Sequence, residues 1–305
     1  MGSIPARRAS ILLTGALLLP TFGAASAEAA QTLRVSREKP DLVRTLLAAV
    51  PGDTVLVGPG DYTGGFRLPP EVALLSTDGP DSTILRGDFI YTLEIVGGEV
   101  EGNSVVRGFR FDCRRGAEIG VTIKSGYVLF EGNVVVKAHD GVQVTGRSEP
   151  LLRANRFEAC ARGLVVEAST PRIEENEFVA NVAAIDLTSS SPAIQRNRFR
   201  LNREAIALAL YSYPVIGGGL SQANDFVDNR VNLSNRALST VGSLRTQDRV
   251  TIAAKYNYWG TLCPPAEKFI GPCRWRPWTD AAHQGHYIEC PDSAAASPDS
   301  GSPSR

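Results

Sequence analysis

The hydrophobic pattern of this chain repeats about once every 21 residues. Its clearest marker is an Asn-x-Phe tripeptide whose asparagine recurs at intervals of 21, 21 and 27 residues, with one more asparagine 22 residues before the first. The asparagines are Asn133, Asn155, Asn176, Asn197 and Asn224. A repeat of this length indicates a solenoid, in which each unit buries its apolar face only by stacking on its neighbours.

Each repeat contains three short stretches in which apolar and polar residues alternate. The first ends just before the asparagine and has an apolar residue three positions ahead of it, as at Leu152. The second contains the phenylalanine, and the third follows a small residue, as in Gly163-Leu164-x-Val166. Alternation with a period of two is typical of β-strands. We therefore predict an all-β fold, a single-stranded right-handed parallel β-helix (β-solenoid) of about nine coils.

The residues predicted to point outward support stacking of the coils in register. Neighbouring coils lie about 4.8 Å apart, so like charges in register would repel. The sign of the charge alternates instead along two columns, Arg107-Glu131-Arg153-Glu174 and Arg156-Glu177-Arg198-Asp225. We expect the asparagines to form a structural ladder, in which each takes a left-handed backbone conformation at a tight bend and bonds the copies above and below.

The segments on either side of the repeats predict two caps. Pro40 to Val50 has the spacing of a short amphipathic helix, which would cover the open apolar end of the stack. Residues 292–305 contain little that could be buried. The expected layout is a signal peptide over 1–30, the β-helix with its N-terminal cap over 31–260, a C-terminal cap over 261–291 and a disordered tail over 292–305.

The first 30 residues have the pattern of an export signal. Arg7 and Arg8 precede an apolar run from Ile11 to Leu19, and Ala-x-Ala arrangements follow. Paired arginines also occur in twin-arginine signals. The alternative is a membrane anchor, but the run is shorter than the roughly 17 apolar residues that a span needs. We predict a secreted or periplasmic protein with no membrane span.

Composition and charge narrow the class of partner. The chain is 43% hydrophobic and 21% charged, as expected of a globular protein. Its 32 basic and 32 acidic residues balance, so it lacks the positive field that attracts nucleic acid. We expect no nucleic-acid partner, no cofactor and a monomeric protein.

The pattern resembles the right-handed parallel β-helix repeat proteins of the pectate-lyase-like superfamily, and is most like their secreted bacterial members. The asparagine ladder, the segment Ala48-Ala49-Val50-Pro51-Gly52-Asp53-Thr54 and the ending Asn257-Tyr258-Trp259-Gly260-Thr261 carry the resemblance. That superfamily includes polysaccharide lyases, polygalacturonases, alginate epimerases and non-catalytic proteins. Neither the Gly-His-Gly of polygalacturonases nor the Asp-Pro-His-Asp of alginate epimerases is present intact. The resemblance therefore implies the fold but not the reaction.

In the enzymes of this superfamily the site lies on the outward face of the strand after the small residue, and the resemblance implies the same location here. The candidate catalytic residues are His139, Asp140, Arg162 and Asp186, with Arg162 expected above Asp140 in the next coil. A histidine beside an aspartate can act as acid or base near neutral pH. The alternative is a solvated loop with a turn-forming aspartate before Gly141.

A second candidate is a pair of carboxylates, Glu167 and Asp186, at neighbouring outward positions. Two carboxylates at a suitable separation can hydrolyse a glycosidic bond. Scattered exposed carboxylates without such a role are the alternative, because acidic residues are common on any protein surface.

The C-terminal region concentrates cysteine and aromatic residues. A disulfide from Cys263 to Cys273 is predicted, because exported proteins favour disulfides. A zinc site made of Cys263, Cys273, His283 and Cys290 is the alternative, but its spacing fits no regular zinc motif. The tryptophans of this region are expected to close the last coil rather than to stack on sugars.

Together these features predict a protein that binds polysaccharide along its long face, and the sequence leaves open whether it also processes it as a lyase or glycoside hydrolase. The alternative is a non-catalytic structural or surface-interaction protein on the same scaffold.

Overall fold

The computed structural model describes residues 29–38, 41–87, 90–96, 103–114, 118–124, 126–237 and 249–291. The predicted signal peptide lies outside these residues except for positions 29 and 30, and the predicted tail lies outside them entirely. Within them, the chain winds into a parallel β-helix with three sheets running along its length. The predicted all-β solenoid is confirmed.

Each coil contributes one strand to each sheet. The first sheet contains Thr32–Val35, Thr54–Val57, Ala73–Ser76, Asn103–Arg107, Tyr127–Glu131, Leu151–Arg153, Arg172–Glu174, Ala193–Gln195 and Val215–Ile216. The second sheet contains Gly60–Thr63, Thr83–Arg86, Arg110–Asp112, Val134–Val136, Arg156–Glu158, Glu177–Val179, Arg198–Arg200 and Asp225–Val227. The third sheet contains Phe66–Leu68, Tyr91–Ile95, Ile119–Ile123, Asp140–Val144, Arg162–Glu167, Ala183–Thr188, Glu204–Leu210, Val231–Ala237 and Phe269–Ile270.

The strands pair in the register that the repeat predicts. Phe157 pairs with Phe178, and Phe178 pairs with Phe199. Their rings stack with centroids 4.7 and 5.0 Å apart, and the stack continues through Phe226 to Trp259. These side chains are at most 1% exposed. Because inward residues recur once per coil, one aromatic column fills the core along the axis.

The asparagine ladder is present, although its backbone geometry differs from the prediction. From Asn155 onward, the side-chain oxygen of each asparagine accepts bonds from the backbone N–H and the amide of the asparagine one coil earlier, for example 3.0 and 3.0 Å from Asn155 to Asn176. The oxygen of Asn133, the first member, accepts from the Phe109 N–H. The expected left-handed conformation lies one position earlier, at Ala154, Glu175 and Arg196. The asparagine itself is therefore selected for its amide, which replaces backbone partners that the bend removes.

The other two corners carry ladders of their own. Asn181, Asn202 and Asn229 repeat the amide pattern between the second and third sheets. Serines form the corner between the third and first sheets, where each hydroxyl after the first accepts a bond from the backbone N–H of the serine one coil earlier. The members of that ladder are Ser148, Ser169, Ser190 and Ser212.

The outward charges pair between coils over part of each predicted column, whereas Glu174 bonds Arg172 and Arg196 instead of Arg153. Glu131 bonds Arg107 on one side, at 2.6 Å, and Arg153 on the other. In the second column Arg156 bonds Glu177. Since the pairs are partly exposed, each contributes little alone, and their main effect is to exclude registers that place like charges together.

A helix covers the N-terminal end of the stack, as predicted. It spans Leu42–Ala48, and the Asp41 side chain caps it by accepting a bond from the Arg44 N–H at 2.9 Å. Leu42 and Leu46, one turn apart, are buried against the first coils. This helix therefore shields the apolar end of the core from solvent.

The C-terminal cap is closed by a different disulfide from the predicted one. The prediction of Cys263–Cys273 is wrong, since Cys263 is bonded to Cys290, with Cα atoms 5.2 Å apart. Cys273 begins the short strand Cys273–Arg274, which pairs with Ile252–Ala253, and its side chain packs against the core as a free thiol. Burial raises the pKa of that thiol to about 12.

Two further features complete the cap. The strands Trp278–Thr279 and His286–Tyr287 form an antiparallel pair, and Trp278 is buried and donates its indole N–H to the Leu262 carbonyl at 3.0 Å. Two short 3-10 helices, Leu220–Gln222 and Ala266–Lys268, lie in the preceding connections. No helix among the described residues has the length and apolar character to cross a membrane.

Candidate functional site

The four predicted catalytic residues come together on the outward face of the third sheet. Asp140 and Arg162 begin adjacent strands and pair in register, as the repeat predicted. His139 immediately precedes Asp140, with 3.0 Å between its Nδ1 and Asp140 Oδ1. Asp186 lies one coil further along, 3.4 Å from Arg162 Nη1. We call these residues, together with Gln143, the central cluster.

Asp140 is the hub of the central cluster and is only 3% exposed. Arg162 donates two bonds to it, each 2.7 Å long, one to each carboxylate oxygen. Gln143 donates a third bond at 2.7 Å. Burial alone would raise the pKa of Asp140, but the bonds from Arg162 and Gln143 and the nearby charges outweigh it and hold the pKa below its ordinary value. Asp140 is therefore an ionised organising group and a poor proton donor.

Arg162 is shared between two carboxylates. Its bonds to Asp140 raise the pKa of the guanidinium, and the charge of Asp186 adds to that effect. Two of its nitrogens face Asp140 and a third faces Asp186. Its charge is thus largely compensated within the protein, which limits its capacity to neutralise an acidic ligand.

His139 is the accessible member of the central cluster, with 64% of its side chain exposed. The contact with Asp140 engages Nδ1, which leaves Nε2 on the solvent side. A carboxylate in this position fixes the orientation of an imidazole and favours the tautomer with the proton on Nδ1. This geometry could serve either proton transfer or hydrogen bonding to a ligand hydroxyl.

The remaining acidic residues of this sheet do not join the central cluster. Glu204, which lies two coils beyond Arg162 in the same column of register partners, faces Arg236 at 3.5 Å. Glu167 pairs in register with Thr188, and Asp186 pairs with Val165, so the two candidate carboxylates stand diagonally on adjacent strands. The four proposed zinc ligands are not available together, because Cys263 and Cys290 form a disulfide.

A second polar group on the same face was missed at the sequence level. Glu94, which is 7% exposed, bonds Lys124 in the next coil, accepts a bond of 3.3 Å from Tyr91 and lies 3.7 Å from Arg67. The bond from Lys124 lowers the pKa of Glu94 and outweighs the opposing effect of burial. The available signal was Leu93-Glu94-Ile95, which has the same pattern as Ile185-Asp186-Leu187.

These two groups occupy corresponding outward positions along one sheet. Arg67, Glu94, Thr122 and Gln143 follow one another in a single column of register partners, which continues through Val165 to Asp186. Polar groups therefore recur about every 4.8 Å over the first four of these strands, and resume at Asp186 after the buried Val165. Such an arrangement suits a ligand that extends parallel to the axis over several coils.

Comparison with known proteins supports the fold. The family described as the right handed beta helix region matches residues 91–242. No curated protein matches the sequence. An alginate lyase from Paenibacillus sp. str. FPU-7 superposes with a TM-score of 0.53 at 16% identity, over 80% of this chain and 99% of that one. A Family 28 exopolygalacturonase from Yersinia enterocolitica has a TM-score of 0.37 at 12% identity, over 82% of this chain and 64% of that one.

At these identities the likeness concerns the course of the backbone and not the chemistry. Together with the three parallel sheets and the matched family region, the superposition on the alginate lyase places this chain in a fold class. The chain is a right-handed parallel β-helix protein with the pectate-lyase-like fold.

Proposed function

We propose that this protein is exported and binds polysaccharide along the outward face of its third sheet. The observation that carries the proposal is the column from Arg67 to Asp186, in which five of six consecutive strands present a polar side chain and Val165 is the exception. The rise of one coil is close to the length of one sugar unit in an extended chain, so successive sugars would meet successive strands. The exposed disulfide Cys263–Cys290 supports export, because such bonds persist in oxidising compartments.

The central cluster favours binding over cleavage. Lyase chemistry needs cationic groups that are free to neutralise a uronate, whereas Arg162 is already bonded by Asp140 and faces Asp186. Inverting or retaining hydrolysis needs a carboxylic acid that can donate a proton, and the lowered pKa of Asp140 opposes that role. Because Asp140, Arg162 and Asp186 hold one another in place, they can form hydrogen bonds to sugar hydroxyls without first changing their own positions.

Processing is the second candidate, and the position of His139 favours it. An exposed imidazole oriented by a carboxylate is a suitable general base. In this version His139 Nε2 takes the C5 proton of a uronate unit, the electron pair forms the C4–C5 double bond as the C4–O4 bond breaks, and water protonates the leaving O4, while Asp140 stabilises the imidazolium that results.

The test is a screen of purified protein against uronate-containing and neutral polysaccharides, measuring affinity, unsaturated-product absorbance and reducing ends. Gln143→Ala is the informative variant, because it removes an outward amide of the central cluster. Gln195→Ala is the matched control, since Gln195 is a half-buried amide facing outward from the first sheet.

We expect at least one polysaccharide to bind, with about tenfold weaker affinity for Gln143→Ala and unchanged affinity for Gln195→Ala. A tenfold loss corresponds to about 1.4 kcal/mol, the scale of one hydrogen bond. Turnover that His139→Ala abolishes while binding persists would establish the second candidate. Failure of every polysaccharide to bind, or equal effects of the two glutamine variants, would refute the proposal.

A further inference from the structure

A cleft of about 500 Å³ lies away from the third sheet, where the corner between the first and second sheets meets the C-terminal cap. Its floor contains Arg198 and Asp225, and its walls contain Leu220, Ser221 and His283. A volume of this size falls within the range of small-ligand sites. We call it the corner cleft.

An interruption of the repeat builds the corner cleft. The interval between Asn197 and Asn224 is 27 residues instead of 21, and the extra residues form the 3-10 helix Leu220–Gln222, which becomes one wall. The opposite wall is the cap turn in which the Asp280 carboxylate accepts bonds from the backbone N–H groups of Ala282 and Gln284. That turn presents His283, whose Nε2 lies 2.8 Å from Asp225 Oδ1.

The polar groups in the cleft are only partly used by the protein. Arg198 is exposed and pairs in register with Asp225 on the next strand. In the part of the chain that the structure describes, no carboxylate forms an ion pair with Arg198, whereas Arg156 and Arg200 both face Glu177. The hydroxyl of Ser221 lines the same space. The cleft therefore offers a guanidinium, a carboxylate, a hydroxyl and an imidazole together.

The balance of these groups indicates the class of ligand. Arg198 has an acidic register partner on each side, Glu177 and Asp225. Arg196, which also lines the cleft, is held by Glu174 and Glu175 outside it, so its charge is compensated and the cleft carries no unpaired excess of positive charge that would select an anion. Vicinal hydroxyls of a sugar can donate to a carboxylate and accept from a guanidinium at the same time. Leu220 and the buried Ala223 add an apolar surface suited to the C–H face of a pyranose.

We infer that the corner cleft binds one or two units of a neutral saccharide, with Asp225 and Arg198 bridging adjacent hydroxyls and Ser221 and His283 bonding others. This inference does not depend on the third-sheet site, since it involves different strands and a different face. It assigns to the repeat insertion and the cap turn a joint function that neither could perform alone.

The experiment measures binding of neutral disaccharides (cellobiose, xylobiose and mannobiose) to the full protein by saturation-transfer NMR and calorimetry. Arg198→Ala removes the bridging cation, and Arg200→Ala is its matched control on the same strand and face but outside the cleft. Ser221→Trp fills the cleft from an exposed position without disturbing the His283–Asp225 contact. Gln143→Ala reports separately on the third-sheet site.

We expect at least one disaccharide to bind, with at least tenfold weaker affinity for Arg198→Ala and no detectable binding to Ser221→Trp. Arg200→Ala should stay within twofold of the parent protein, and Arg198→Ala, Arg200→Ala and Ser221→Trp should keep its melting temperature within about 2 °C, since surface changes rarely exceed 0.5 kcal/mol. Equal affinities for the parent and Ser221→Trp would overturn the inference, as would no binding of any of the three disaccharides. Stronger binding of inorganic sulfate or galacturonate than of the disaccharides would also overturn it, by making the cleft an anion site.

Discussion

Replacing Asn176 with alanine should show how much one rung of the asparagine ladder stabilises the fold. Asn176 is 1% exposed and forms four side-chain hydrogen bonds. Its oxygen accepts from the backbone N–H and the amide of Asn155, and its amide donates to the Leu152 carbonyl and to Asn197. The substitution leaves the buried Asn155 N–H without its acceptor and removes both bonds between amides.

The magnitude follows from those contacts. An unpaired buried N–H costs about 1–3 kcal/mol, and each lost bond between amides about 1 kcal/mol, so the free energy of unfolding should fall by about 3–5 kcal/mol. For a domain of this size, each 1 kcal/mol lowers the melting temperature by roughly 2–4 °C. We therefore expect a decrease of roughly 6–20 °C.

The assay is thermal unfolding followed by far-ultraviolet circular dichroism and by tryptophan fluorescence. All three tryptophans lie between residues 259 and 278, so fluorescence reports the C-terminal end while circular dichroism reports the whole stack. Coincident transitions would establish that the coils unfold together, which is not guaranteed in a solenoid. Gln195→Ala, an outward amide two residues before the next rung, should shift the transition by no more than about 0.5 kcal/mol. If Asn176→Ala lowered the free energy of unfolding no more than this control does, the ladder would be a consequence of coil stacking and would not itself stabilise the fold.

Two further predictions concern acid and thiols. Burial raises the pKa of Asp112, Glu131 and Asp140, but the arginines bonded to each lower it by more, so all three pKa values lie below the ordinary value in the folded protein. The ionised carboxylates therefore stabilise the fold fully above the ordinary carboxyl pKa of about 4, and this contribution to the free energy of unfolding is lost as the pH falls through the lower folded values. Asp140→Asn should therefore melt earlier than the parent protein at pH 7, and the gap should narrow towards pH 2; a gap that stays constant would contradict the assigned pairing. Burial raises the pKa of Cys113 to about 12 and of Cys160 to about 11. A thiol reagent should therefore label these cysteines and Cys273 only after denaturation. Peptide mapping should recover Cys263 joined to Cys290. Replacing that cystine by two serines should lower the free energy of unfolding by about 3 kcal/mol. Labelling of Cys160 in the native protein would show that the corner between the second and third sheets opens.

Periodicity predicted the fold because the inward positions of a solenoid are constrained by their own copies. Phe157, Phe178 and Phe199 must repeat if the core is to be filled, and the same register places Arg162 above Asp140. The second ladder of Asn181, Asn202 and Asn229 has the same intervals as the first and was detectable in principle. It was missed because no aromatic residue lies two positions after these asparagines, as Phe157 does after Asn155.

Other features could not be predicted because they interrupt the repeat. The register partners Thr54, Ala73 and Val105 are 19 and 32 residues apart, so the coil that contains Glu94 had no fixed spacing from which to place it. The pairing of Cys263 with Cys290 depends on the path of the cap, which has no copy elsewhere in the chain. The left-handed residue of each bend precedes its asparagine, a shift of one position that spacing alone does not reveal.

The two proposed sites use the scaffold in opposite ways, and this difference bears on what each can bind. On the third sheet, polar side chains fill regular outward positions without changing the backbone, so the surface stays open and repeats along the axis, which suits a chain longer than one coil. At the corner cleft, an insertion and a cap turn create walls, the 2.8 Å contact between His283 and Asp225 ties the cap turn to the floor, and a walled cleft suits a short unit. Because the core depends on inward residues alone, changes in the outward columns or in the insertion can alter either site while leaving the coils that support it unchanged.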